Sequence, residues 1–342
     1  MASQAREKLQ LPMVRLALAQ PFLDAALRSG KRVQASLEPY CLSEASFGDQ
    51  EQFVTAAVMY DLVETLAELT GDPHCGVNLG TSLNPFEWSP MADAARQAQS
   101  VGDLLLRFSI DAYRDANSVE FKLETRGSRT IFTERRVTDG GRLPRHNDGF
   151  GAAYILSILR QAMGGNWAGH NVLVQVCDPE VFPPGHWDIR VAGANTSGFS
   201  VSFPSTWLLL APQLRASAAD DARIFARNRA PSDTLAALRY VLEKHLHEPG
   251  LDADHVAELC GISKRTLVRR LSDMGTSLKT ELDQLRQLRA EALLREGKHS
   301  VADISESLGY RDPTVFTRAF RRWAGSTPTD YRNRFVSKSL RP

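Results

Sequence analysis

Cysteine is scarce in this 342-residue chain, and the four present, Cys41, Cys75, Cys177 and Cys260, are far apart with no Cys-x-x-Cys pair. That spacing offers neither a disulfide framework nor a zinc ribbon, so each is expected as a small core residue in a reducing compartment. Long apolar runs are missing too. Pro12 and Arg15 interrupt residues 9–19, and no later segment approaches the ~20 apolar residues of a membrane span. A chain neither exported nor embedded, and so cytoplasmic, is expected. Catalytic signatures are equally lacking: there is no G-x-S-x-G elbow, H-E-x-x-H zinc site, Walker loop or dinucleotide fingerprint. His245 and His247 flank Leu246 and fall on different helix faces, which suits a metal poorly. No enzymatic activity, cofactor or metal is expected.

A large net charge is also absent, but the overall value of +1 hides an asymmetry. From Ser232 onward there are 19 Lys and Arg against 15 Asp and Glu, and before it 22 against 25. A basic C-terminal part joined to an acidic partner fits nucleic-acid binding at one end. The length favours two domains.

Residues 1–212 read as an α+β domain for effector sensing and dimerisation. Apolar residues at helical spacing mark 53–69, which Gly71 and Pro73 stop, and 101–110 and 150–163 also read as helices. Alternation in 119–123 and 130–137 around Gly127 predicts a hairpin, with further strands at 172–176 and 199–203. Pro204 opens a short helical stretch. Residues 213–231, with Pro231 and the pair Asp220–Asp221, read as a linker.

Residues 232–342 read as an all-α domain carrying two similar blocks. In the first, Ala257 is small where two helices cross, Gly261 supplies a sharp turn, Ser263 caps the next helix, and Leu267 and Leu271 bury at i, i+4. The second repeats the plan with Ser305, Gly309, Asp312 as N-cap, Pro313 at the first helical position, and Phe316 and Phe320 buried. Ser300 to Asp303, and Thr327 to Asp330, have the form of capping boxes. Between the blocks an amphipathic helix over 277–296 spans ~30 Å at about 1.5 Å per residue. One turn of B-DNA is ~34 Å, so two recognition helices can enter successive major grooves.

Gly261 to Leu271, the Leu285–Arg286 step, Leu308-Gly309-Tyr310 and the run from Phe316 to Trp323, with Pro328, Tyr331 and Arg332, resemble the DNA-binding domain of the AraC/XylS family over residues 235–334. Leu69-Thr70-Gly71-Asp72-Pro73, Trp167 and Phe203-Pro204-Ser205-Thr206-Trp207-Leu208 are similar to the sensor domain, of arabinose-binding type, in the branch that includes ornithine-utilisation regulators. Val268 departs from the polar residue common at its position, and Ser305 from the usual Ala. The resemblance implies a sequence-specific transcription regulator, an activator, with a small-molecule effector, homodimerisation and contact with RNA polymerase.

Exposed residues in the N-terminal half of each second helix are the candidates for base contact: Arg265, Val268 and Arg269, then Thr314, Thr317 and Arg318. Ser263, Lys264, Arg270, Arg311, Arg321 and Arg322 are candidates for phosphates of double-stranded promoter DNA; the alternative for each is a solvated surface side chain. Trp323 and Tyr331 are expected in the core. Candidate effector residues are Tyr154, Trp167, His170 and Phe199, with Trp88, Tyr113, Trp187 and His186 as wider possibilities; for any of them a core or surface role is the alternative. Arg135 and Arg136 adjoin on a strand, so only one faces inward. Two other functions stay open, a regulator controlled by a protein partner or its own concentration, and a DNA-repair methyltransferase, which needs clustered thiolates.

Overall fold

The structure, a computed structural model, describes residues 11–84, 91–137, 142–194, 197–212, 229–231 and 233–339. Trp88 and most of the expected linker lie outside the described residues. The chain divides into two compact units, Met1–Ser232 and Asp233–Pro342.

The first unit is α+β. Strand β1 (Met13–Arg15) leads into helix α1 (Gln20–Arg28), and β2 (Phe53–Thr55) into α2 (Ala56–Thr70). Helices α3 (Cys75–Ser82), α4 (Met91–Gln97) and α5 (Val101–Asp111) follow, then the hairpin β3 (Val119–Arg126) and β4 (Arg129–Arg136). Helix α6 (Arg145–Met163) precedes β5 (Leu173–Val176), β6 (Arg190–Gly193) and β7 (Gly198–Pro204). The main sheet has the order β3-β4-β7-β5-β6, antiparallel except for the parallel β5–β6 pair. Its inner face packs on α6, whose Ala152, Ala153, Ile155, Leu156 and Ile158 are buried with Phe132, Val174, Val201 and Phe203. Gly80 lets α3 lie against α6, because a Cβ there would stand 2.3 Å from the Phe150 carbonyl oxygen.

The expected helix over 53–69 is corrected at its start. Phe53, Val54 and Thr55 pair with Arg15, Val14 and Met13 as a short strand, and Thr55 Oγ1 accepts from Val58 N at 3.3 Å to begin the helix at Ala56. Over three residues an apolar run cannot distinguish strand from helix by period. Cys41 is a second correction. It is exposed and left-handed at φ 53°, ending a single helical turn, whereas Cys75 and Cys260 are buried. The arginine pair behaves as the pleat demands: Arg136 is buried against Asp148, and Arg135 is exposed beside Glu120.

The second unit is helical: α7 (Thr234–His245), α8 (Ala253–Leu259), α9 (Lys264–Asp273), α10 (Leu278–Glu296), α11 (Val301–Ser307), α12 (Pro313–Ala324) and α13 (Pro328–Ser339). The central α10 packs against α7, α11, α12 and α13. Its second half buries Ala290, Leu293 and Leu294 with Ile304, Leu308, Phe316 and Phe320, while Trp323 and Tyr331 pack at the edge of that cluster. Truncating either fully buried phenylalanine to Ala removes packing of ~3–5 kcal/mol.

Candidate nucleic-acid interface

Two helical pairs, α8–α9 and α11–α12, are joined by turns built in the same way. In the first, Gly261 stands at φ 63°, its N–H donating to Glu258 O at 2.9 Å while Ile262 N–H donates to Ala257 O at 2.9 Å. In the second, Gly309 stands at φ 76°, its N–H donating to Glu306 O at 2.9 Å while Tyr310 N–H donates to Ser305 O at 3.1 Å. Both closures satisfy carbonyls at the end of the preceding helix, and the left-handed residue is the one that glycine alone adopts without strain. The next helix starts one residue later in the second pair. Ser263 caps α9 by accepting from Thr266 N at 3.2 Å, and Asp312 caps α12 by accepting from Thr314 N at 2.7 Å, with Pro313 behind it. The expected box at Ser300 is present in full, and Thr327 accepts from Asp330 N at 3.2 Å.

Once these caps and buried leucines and phenylalanines fix the roll of each helix, the other face is left to solvent. On α9, Lys264, Arg265, Val268 and Arg269 are exposed, Val268 at 52%, and Arg270 is half-buried, which lowers its guanidinium pKa. On and before α12, Arg311, Thr314, Arg318, Arg321 and Arg322 are exposed. Thr317 is half-buried and spends its hydroxyl proton on Pro313 O at 2.9 Å. Val315, 42% exposed on the same helix, was not singled out from sequence, where an isolated valine beside Phe316 reads as core.

Two cations of this group are already paired. Lys264 Nζ lies 2.7 Å from Asp254, which holds the ammonium above its ordinary pKa, and Arg322 lies 3.1 Å from Asp283 on α10. The Ser263 hydroxyl is engaged as a cap and pairs with that of Thr266 at 2.9 Å. Arg286 is internal bracing. Its Nε donates to Leu308 O at 3.1 Å, and its guanidinium sits 5.1 Å from the Tyr310 ring centroid. Buried Glu281, 2.7 Å from Arg239 and accepting from Thr276 Oγ1 at 2.6 Å, ties α10 to α7. Neither partnership has a sequence signal, because both depend on tertiary contact. Ser305 is fully buried with no partner for its hydroxyl among the described residues, so its departure from Ala is a cost in packing polarity.

In the first unit, the candidate effector residues do not converge. Tyr154 is buried in the α6 core and stacks on Phe150 at 6.3 Å. Trp167 is half-buried and donates from Nε1 to Trp187 O at 3.1 Å. His170 is exposed, 3.8 Å from Asp188. Phe199 is buried on β7, directly across from Glu134 on β4. The reason is topological: Trp167 and His170 follow the end of α6, whereas Phe199 faces its start. A pocket does occur in this unit, and the side chains facing it include Phe22, Tyr60, Phe108, Phe121, Glu134 and Phe150. None of the four sequence candidates lines it.

Comparison with known proteins agrees with this geometry. Residues 256–334 match the family described as a helix-turn-helix domain, and residues 30–181 match the arabinose-binding domain of AraC transcription regulator, N-terminal. The HTH-type transcriptional regulator VqsM of Pseudomonas aeruginosa is 40% identical over 79 residues, 23% of this chain and 24% of that protein. The transcriptional activator NphR of Rhodococcus sp is 35% identical over 101 residues, 30% of each. The crystal structure of transcriptional regulator CdpR from Pseudomonas aeruginosa is 20% identical, covering 80% of this chain and 90% of that one, with a TM-score of 0.34. The chain thus spans about a quarter to a third of the length of the curated relatives it matches.

Proposed function

We propose that this chain, whose residues match an arabinose-binding-type domain followed by a helix-turn-helix domain, binds promoter DNA sequence-specifically under control of a small-molecule effector sensed by its first unit. The observation that carries this reading is the repeated turn, at Gly261 and at Gly309, each feeding a capped helix whose exposed face is rich in arginine.

In this reading the N-terminal halves of α9 and α12 enter successive major grooves. Arg265, Arg269 and Arg318 pair with base edges, for which guanine N7 and O6 are the fitting acceptors. Val268 supplies apolar contact with a thymine methyl, and Thr314 and Thr317 reach the groove floor. Ser263, Lys264, Arg270, Arg311, Arg321 and Arg322 meet phosphates, which set register without reading sequence. The contributions are unequal. Lys264 and Arg322 give up Asp254 and Asp283 to meet a phosphate, so each adds less net affinity than the exposed Arg311 or Arg321.

A homodimer acting on paired half-sites, activation by contact with RNA polymerase, and a cytoplasmic location complete the reading. Catalysis is no part of it. Burial pushes the Cys177 and Cys260 thiols up to about 12 and raises Cys75, and a thiol held protonated is a poor nucleophile. The test is selection of bound duplexes from a random pool by the full chain. Enrichment of a motif with two elements about one helical turn apart supports the reading, and an unenriched pool contradicts it.

A further inference from the structure

The pocket in the first unit has a composition that specifies its ligand. It is walled by five aromatic rings, Phe22, Tyr60, Phe108, Phe121 and Phe150, and by the carboxyl of Glu134. Two ring pairs close its sides, Phe108 with Phe121 at 4.9 Å and Phe22 with Phe150 at 5.4 Å between centroids. Glu134 shares the inner face of β4 with Phe132 and Arg136, and stands opposite Phe121 on β3 and Phe199 on β7. Gly151 on α6 makes room here, since a Cβ there would meet Phe199 Cε1 at 2.5 Å.

Two polar groups in this wall are under-satisfied among the described residues. The Tyr60 hydroxyl is buried, its residue only 4% exposed, and its polar neighbour is the Ser118 side chain. The half-buried Glu134, which lines the pocket, makes no hydrogen bond or ion pair among the described residues. A buried polar group without a partner carries a penalty that a fitting ligand relieves.

Charge decides the sign of that ligand. Among the described residues, no Lys, Arg or His lines the pocket. Behind the wall, one cation, Arg136, faces two carboxylates, Glu134 and Asp148, and it is hydrogen-bonded to Asp148. The other buried acid on the wall, Asp115, is neutralised by Arg15 at 2.5 Å. When Glu134 ionises, one negative charge is left over, facing aromatic rings, and such faces attract cations.

We propose that this pocket binds a small organic ammonium ion, with its charge on Glu134, its N–H shared with the Tyr60 hydroxyl, and its apolar body against the phenylalanines. The site rests on reading this unit as the sensor. The cavity is about 90 Å³, below the ~150 Å³ that admits benzene, so a body of roughly four to six heavy atoms fits. Amino acids fit less well, because among the described residues the lining has no cation to receive a carboxylate. Burial and the like charge of Asp148 push the Glu134 carboxyl up to about 8 against the pull of Arg136, so the carboxyl holds a proton at neutral pH that an ammonium ion displaces on binding.

The test is calorimetric titration of the full chain with isobutylammonium chloride and with isobutanol, the neutral molecule of the same shape, at matched ionic strength. The site predicts saturable binding of the cation, weaker binding of the alcohol by about tenfold or more, and loss of that preference in Glu134→Gln. Equal binding of the two, an unchanged preference in the variant, or no saturable binding of either overturns it. Should Glu134→Gln fail to fold, the wild-type preference and Tyr60→Phe decide. DNA selectivity is measured on the same samples. Motif binding without ammonium binding removes this site alone, whereas ammonium binding without motif selectivity removes the regulator reading and leaves the site.

Discussion

Arg286, midway along α10, donates from Nε to the carbonyl oxygen of Leu308 at 3.1 Å, at the end of the helix that precedes the second turn. Its guanidinium also lies over Tyr310, the residue that follows the turn glycine. One side chain thus fixes the central helix to the entry of α12, and the aim of α12 depends on it.

Replacing Arg286 by Met keeps the stem and removes both contacts. The expected loss is about 1.5–3 kcal/mol for a hydrogen bond from a charged donor. Denaturant unfolding of the second unit measures it. Affinity for the selected motif should fall with it although Arg286 meets no base, and Arg286→Lys should restore little, since an ammonium cannot stack as a plane. Full rescue by Lys would show that charge alone matters there.

Gly309 is the most demanding position in the second turn. At φ 76° a side chain is strained, and a Cβ would stand 2.6 Å from Glu248 O and 2.7 Å from Leu246 O, beyond the end of α7. Gly309→Ala is expected to cost at least ~1–3 kcal/mol from the backbone conformation alone, with the clash in addition. A melting curve unchanged within a degree would contradict the turn as described.

Phosphate and base contacts separate by salt. Arg311→Ala should weaken binding to every duplex and reduce the slope of log affinity against log salt by about 0.9, and Arg322→Ala by less, because Asp283 already holds that guanidinium. Arg269→Ala should instead cost ~1–3 kcal/mol on the selected motif and relax preference at one base pair. Equal weakening on random DNA would move Arg269 to the phosphate group.

The parts of this architecture written locally were legible in the sequence. Gly261, Ser263, Asp312, Pro313 and the i, i+4 pairs each act within one turn, so their roles follow from residue type and spacing. The alternating strands around Gly127 were legible for the same reason. The strand at Phe53–Thr55 was not, because its partner Met13–Arg15 lies about forty residues away and neither run is long enough to show a period. The pocket was hidden for a related reason. Tyr60, Phe108, Phe121 and Glu134 come from separate elements, and Glu134 reads locally as one more charge on a hairpin.

Glu134 also makes a prediction about pH. Its carboxyl titrates near 8 in the folded unit, against the ordinary value of 4.5. The folded state therefore holds a proton that the unfolded chain releases, so this contribution to stability is whole below about 4.5 and is lost as pH rises toward 8. Buried Glu64, pushed up to about 7, acts in the same direction. Burial lowers His146 to about 4, so its contribution is lost instead as pH falls through 6.5 toward 4. The stability of Glu134→Gln relative to the parent should accordingly grow between about pH 5 and pH 8 and level off above. Chemical denaturation of the first unit across that range measures it, and a difference independent of pH would place Glu134 in solvent.

Sequence reading by this chain requires two recognition helices held by one rigid spacer. Base-level protection of the selected duplex by the full chain tests it. Two protected major-groove segments on one face of the DNA, centred about 10 base pairs apart, with Arg269→Ala weakening protection at one and Arg318→Ala at the other, is the result expected. A single protected segment, or protection that moves to any sequence offered at moderate salt, would contradict it.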